Sequence, residues 1–84
     1  MPEVEIGVVS DYFARVGVAG IDLKGPLKVG DVIHIKGHTT DLTLTVESMQ
    51  IHNQNVQNAT TGQAVGIEVP DRVRHSDHVY KVTP

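Results

Sequence analysis

Apolar and polar positions alternate from the start of the chain. In residues 3–10, EVEIGVVS, Val4, Ile6 and Val8 alternate with Glu3, Glu5 and Gly7, and a period of two predicts a half-buried strand. Ser10-Asp11 reads as a turn, followed by a second strand over 12–19 with Ala14, Val16 and Val18 on one face. Ile21 and Leu23 then take the opposite register, which predicts a bulge or bend at Ala19-Gly20. Gly25-Pro26 is loop punctuation, Leu27-Lys28 a short edge piece, and Val29-Gly30-Asp31 a turn. Residues 32–36, VIHIK, predict a strand with Ile33 and Ile35 inward. After a polar turn at 37–41, residues 42–54 read as one long strand. Its apolar phase switches between Leu42, Leu44, Val46 and Met49, Ile51, so a bulge is expected near Glu47-Ser48.

Val56 and Ala59, followed by Gly62, predict a single helical turn. Residues 64–69 and 77–82 complete the set of strands, with the loop PDRVRHS between them. Many short strands and no sustained helical period predict an all-β fold, a small antiparallel β-barrel. The 84 residues suit a single domain over 1–84. A chain of this size buries roughly 60–65% of its unfolded surface, so its core is adequate but small.

The segments LKVGDVIHIKG, TVESMQIHNQNV, ATTGQAVGIEV and SDHVYKV resemble, in that order, the second domain of the translational GTPases, as in elongation factor Tu and elongation factor 1-alpha. GHTTDLTLTVESMQ and PDRVRHSDHVYKV also resemble short stand-alone translation elongation factor-like proteins, and the C-terminal barrel attached to collagenase-like peptidases. The resemblance covers about residues 6–82. It implies a barrel of the translation-factor domain 2 type. No Gly-x-x-x-x-Gly-Lys-Ser/Thr loop is present, so nucleotide hydrolysis is not expected.

In elongation factor Tu this barrel helps hold the aminoacyl end of tRNA. The resemblance places Gln50 and Asn53 where that family has a Glu and an Arg, and Ile67 near an aliphatic lining position. These three define a candidate RNA or ligand groove. Amides can hydrogen-bond a base edge or a ribose hydroxyl, but they cannot pair a phosphate as Arg does. Taken by position alone, Gln50 and Asn53 are ordinary exposed strand and turn residues. Arg72, Arg74 and His75 form a candidate basic loop for phosphate oxygens or an acidic protein surface, or else a solvated loop.

Seven Lys+Arg against ten Asp+Glu give a net charge of −3, which opposes non-specific nucleic-acid binding. Tyr12, Phe13 and Tyr80 are too few aromatics for a base-stacking platform. There is no cysteine, and His34, His38, His52, His75 and His78 show no zinc-protease spacing, so no metal or other cofactor is expected. His75, Ser76 and Asp77 are consecutive, unlike triad members that meet from separate segments. Catalysis is not expected.

No signal peptide or roughly 20-residue apolar span is evident, which leads to the expectation of a cytoplasmic protein with no membrane contact. Two functions remain in view. One is a non-catalytic module contacting tRNA or ribosomal RNA. The alternative is a protein-interaction accessory barrel acting in trans with a peptidase or other enzyme. A small-molecule or metal binder built on the histidines is a third.

Overall fold

The structure is a computed structural model describing residues 2–83; Met1 and Pro84, the ends of the expected 1–84 domain, lie outside the described residues. Ten strands follow in order: β1 Glu3–Phe13, β2 Val18–Leu23, β3 Leu27–Lys28, β4 Val32–Lys36, β5 Asp41–Thr45, β6 Met49–Ile51, β7 Gln54–Val56, β8 Asn58–Ala59, β9 Ala64–Glu68 and β10 His78–Val82. Eight form one antiparallel sheet in the order β5-β4-β10-β1-β2-β9-β6-β7, and β3 pairs with β8. The fold is all-β, as the alternation predicts. The eight-stranded sheet has β5 and β7 as its two ends, so its ladder is open between them.

One core lies inside the curled sheet. Ala19, Ile21 and Leu23 on β2, Ile33 and Ile35 on β4, and Val65 and Ile67 on β9 supply successive inward positions, as period-two geometry requires. Leu27, Val46, Met49, Val73 and Val79 join them. The inward placement of Ile33 and Ile35 agrees with the sequence reading, and Leu27-Lys28 is indeed a two-residue strand.

Three local expectations need correction. Ser10-Asp11 is no turn: β1 runs on to Phe13, and its pairing with β2 shifts register between Val9 and Asp11. The hairpin turn lies instead at Ala14–Gly17, where Val16 and Gly17 N–H groups reach the Phe13 carbonyl at 3.2 and 2.9 Å, and Gly17 takes a φ of 68°. The bulge thus sits in β1, and β2 alternates without interruption.

The expected long strand over 42–54 is two strands and the start of a third. Val46 leaves β5 and turns inward, with its N–H and C=O bonded to Asp31 and Gly30 at 2.8 Å each. The chain then reverses at His52-Asn53, both with positive φ (52° and 64°). Two central residues of positive φ, flanked by the Ile51–Gln54 pair, make a hairpin of the mirror-image type favoured by sheet twist.

The expected helical turn after Val56 is replaced by β8, whose Ala59 pairs with Leu27. A tight turn at Thr60–Gln63 follows, held by the Thr60 N–H to the Gln63 side-chain oxygen at 2.8 Å.

Candidate binding groove

The tips of two hairpins frame a groove of about 530 Å³. Phe13, Val16 and Val18 from the β1–β2 hairpin form one wall, and Gln50, His52 and Asn53 from the β6–β7 hairpin form the other. Asp11, Gly20, Gly66 and Gln50 are successive cross-strand partners over β1, β2, β9 and β6. The two middle positions lack side chains, so backbone forms the floor between a carboxylate and a carboxamide. Gln50 leans toward β7, donating to Asn55 Oδ1 at 3.3 Å. Phe13 is 50% exposed and Val16 63% exposed. These are two of three large apolar side chains so exposed among the described residues, and the third, Val4, lies outside the groove.

Of the three residues of the candidate RNA or ligand groove, the structure places Gln50 and Asn53 on the β6–β7 wall. It does not place Ile67 there. That side chain is 1% exposed and belongs to the core, because on β9 it shares the inward face with Val65 and is paired with buried Ala19. The basic loop lies outside the groove. Within it Val73 is buried and Arg72, Arg74 and His75 are exposed, so Val73 anchors the segment while its basic neighbours face solvent. The loop is shaped by backbone bonds: Arg72 N–H to its neighbour Asp71 at 2.7 Å, and Arg74 N–H to buried Asp77 Oδ2 at 2.8 Å.

A second depression, of about 640 Å³, is lined by Leu27, Lys28, Asp31, Asn58 and Lys81, among others. The Lys81 ammonium there is already engaged, donating to the Pro26 carbonyl at 3.1 Å with Asp31 at 3.9 Å.

The histidines do not converge. His34 on β4 stands between two carboxylates, with Nδ1 2.8 Å from Glu3 and Nε2 2.5 Å from Asp41. A neutral imidazole has one N–H and would turn a lone pair toward one of them; the imidazolium donates to both. Its pKa is accordingly raised, first by the bond to Asp41 and then by that to Glu3. Asp41 is lowered in return by His34. His78 Nδ1 lies 2.6 Å from Glu5, whose pKa this bond lowers. Among the described residues, no group of three His, Cys, Asp or Glu side chains is placed to hold a metal ion. Ser76 Oγ lies 3.0 Å from His75 Nδ1. Asp77, which would have to orient that histidine in a triad, spends a carboxylate oxygen on the Arg74 N–H instead.

Sequence reasoning missed Phe13, Val16 and Asp11 as groove residues, because it placed the first turn four residues too early. The visible signal was Gly17, the glycine best placed to close a hairpin between two apolar runs. It also missed the tie of β1, β4 and β5 by His34, which joins residues 31 and 7 positions apart.

No family model matches the chain. Over 79 residues it is 42% identical to an uncharacterized protease of Methanocaldococcus jannaschii, covering 93% of this chain and 19% of that protein. A collagenase of Porphyromonas gingivalis strain W83 is 38% identical over 81 residues, covering 94% of this chain and 20% of the collagenase. The chain thus spans about a fifth of the length of the curated relatives it matches.

Among solved structures, the C-terminal domain of a Geobacillus thermoleovorans protein described as a U32 peptidase superposes with a TM-score of 0.89 at 18% identity, covering 95% of this chain and 93% of that one. A selenomethionine variant of the same domain gives 0.85 at 18% identity, covering 89% and 95%. These findings correct the translation and RNA-binding reading, including the contact with tRNA or ribosomal RNA. The matching sequences are a protease and collagenases, and the matching fold is a peptidase domain. Among the described residues no helix is long and apolar enough to cross a membrane. By sequence the chain is homologous to a region of about a fifth of the length of this protease and this collagenase, and its fold is that of a U32 peptidase C-terminal domain.

Proposed function

We propose that this domain is a non-catalytic accessory module that docks on a peptidase-type chain, either as part of one polypeptide or in trans. The observation that carries the reading is the pattern of coverage. Nearly all of this chain aligns with only about a fifth of the protease and of the collagenase it resembles. A unit that repeats as a near-whole fold within longer proteins behaves as a module. The surface chemistry agrees, since the His75–Ser76 pair has no carboxylate orienting it and His34 is committed to two carboxylates.

The test has two arms. The purified 84-residue protein is incubated with gelatin and with fluorogenic peptides, and no hydrolysis is expected. The same chain then replaces the homologous fifth of the Porphyromonas gingivalis collagenase, and the chimera is expected to keep the parent's activity. Peptide hydrolysis by the isolated protein would overturn the non-catalytic assignment. A chimera that folds but is no better than the collagenase with that fifth deleted would overturn the accessory role.

A further inference from the structure

We infer that the groove between the two hairpin tips is the surface by which this domain docks. Its occupant is an apolar side chain flanked by a lysine or arginine, presented by the remaining four fifths of the peptidase-type chain. The inference rests on the accessory reading above and adds the surface and the chemistry of the contact.

Phe13 is the chain's only phenylalanine, and it stands half exposed beside Val16, which is more exposed still. A small domain with a modest core gains nothing for its own fold by leaving its one Phe in water. Aromatic side chains held this way on rigid hairpins are the usual anchors of interfaces. Gly20 and Gly66 bring no side chains of their own to the floor, and the neighbours Val18, Ser10 and Asp11 close over them, so the floor beneath an incoming side chain is low and partly apolar.

Charge selects the occupant. No lysine or arginine lines the groove, and Asp11 makes no ion pair among the described residues, accepting only the N–H of its neighbour Tyr12 at 2.9 Å. A cationic group beside the apolar anchor complements that carboxylate. Gln50 and Asn53, on the opposite wall, offer both donors and acceptors to the backbone of the same segment. The relatives supply the occupant's length, since about four fifths of each lies outside the region matched by this chain.

Hydrogen exchange read by mass spectrometry compares the isolated 84-residue protein with the collagenase chimera described above. Amides of residues 11–18 and 50–53 are expected to slow at least tenfold in the chimera. F13S combined with V16S should abolish that slowing while leaving exchange in β4 and β10 unchanged, and D11N should reduce it several-fold. Slowing confined to the β5 edge or to the loop at 71–76 would overturn the groove while leaving the docking role intact. No slowing anywhere in an active chimera would overturn both. If the chimera does not fold, the same comparison is made between the unmodified collagenase and its own isolated module. Protection at the aligned hairpin tips supports the inference, and its absence there overturns it.

Discussion

Gly37→Ala tests how the loop before β10 is held. Gly37 follows β4, and a Cβ built on it would overlap Asp77 Oδ1. Asp77 can yield only by giving up a bond. It is 5% exposed, its Oδ2 accepts the Arg74 N–H at 2.8 Å, and its carbonyl accepts the Val9 N–H at 2.8 Å. Gly37 has no positive φ, so alanine is tolerated by the backbone and the cost arises from Asp77 alone. Turning the carboxylate away gives up a hydrogen bond to a charged acceptor, about 1.5–3 kcal/mol. Fewer unfolded conformations for alanine return about 0.4–1 kcal/mol. The net expectation is a loss of about 0.5–2.5 kcal/mol. For a domain of this size that lowers Tm by roughly 2–20 °C.

The assay is urea and thermal unfolding followed by circular dichroism, on the wild type, G37A, D77A and the double variant. With Asp77 removed, the overlap is gone, so alanine at 37 should be neutral or slightly stabilising in that background. Equal destabilisation by G37A in both backgrounds would refute the reasoning, because independent sites add and sites in contact do not.

Stability should also depend on pH in a defined window. The raised pKa of His34 contributes stability that is complete below its ordinary value of 6.5 and is lost as pH rises through its higher folded value. The lowered pKa values of Glu5 and Asp41 contribute stability present above their ordinary 4.5 and 3.8 and lost as pH falls further. Tm should therefore be highest near pH 5–6 and decline toward pH 8. H34Q should remove most of that alkaline decline, and an identical decline in both proteins would count against the bridge. Ile67→Ala should cost about 2–5 kcal/mol as a core truncation, whereas Gln50→Ala should stay within about 0.5 kcal/mol; the reverse ranking in urea unfolding would mean that Ile67 is not a core residue. At the β6–β7 turn, Asn53→Gly should raise stability by about 0.5 kcal/mol, while Asn53→Val should lower it by about 1–2 kcal/mol. A neutral valine in the same unfolding assay would show that the positive φ is not required.

Much of the fold was legible where strict alternation meets a buried face. Ile33 and Ile35 could only point inward together, and their strand is where the pattern places it. Legibility failed where one residue changes the phase. The Val46 and Met49 positions read as one bulged strand, yet the chain turns inward between them and reverses at His52-Asn53. His52-Asn53 carries less advance signal than the Asn-Gly or Asp-Gly pairs that mark such turns, although His and Asn are both enriched at positive φ. The placement of the candidate groove residues was legible in part. Gln50 and Asn53 do line the groove, but Ile67 shares their region in sequence and not in space, because parity on β9 sends it into the core. Which strands neighbour one another, and hence that His34 bridges Glu3 and Asp41, depends on long-range pairing that no local pattern encodes.

The two irregularities of β1 explain why one strand serves two surfaces. Val9 is buried, so unbroken alternation would also send Phe13 and Glu5 inward, with Tyr12 outward. The register instead shifts between Val9 and Asp11, leaving Ser10 as the extra residue. Beyond it the phase is reversed: Tyr12 packs on the core opposite Ala19, while Asp11 and Phe13 face the groove. The other shift, between Glu5 and Gly7, leaves Ile6 unpaired with β10 and buried. Before it, Glu5 pairs with Tyr80 and turns outward, which sets Glu3 and Glu5 against His34 and His78 rather than in the core. Without the first extra residue the only phenylalanine would be core, and without the second two carboxylates would be. The bulges therefore assign β1 its chemistry, placing charge at one end, where it ties strands together, and a half-exposed aromatic at the other.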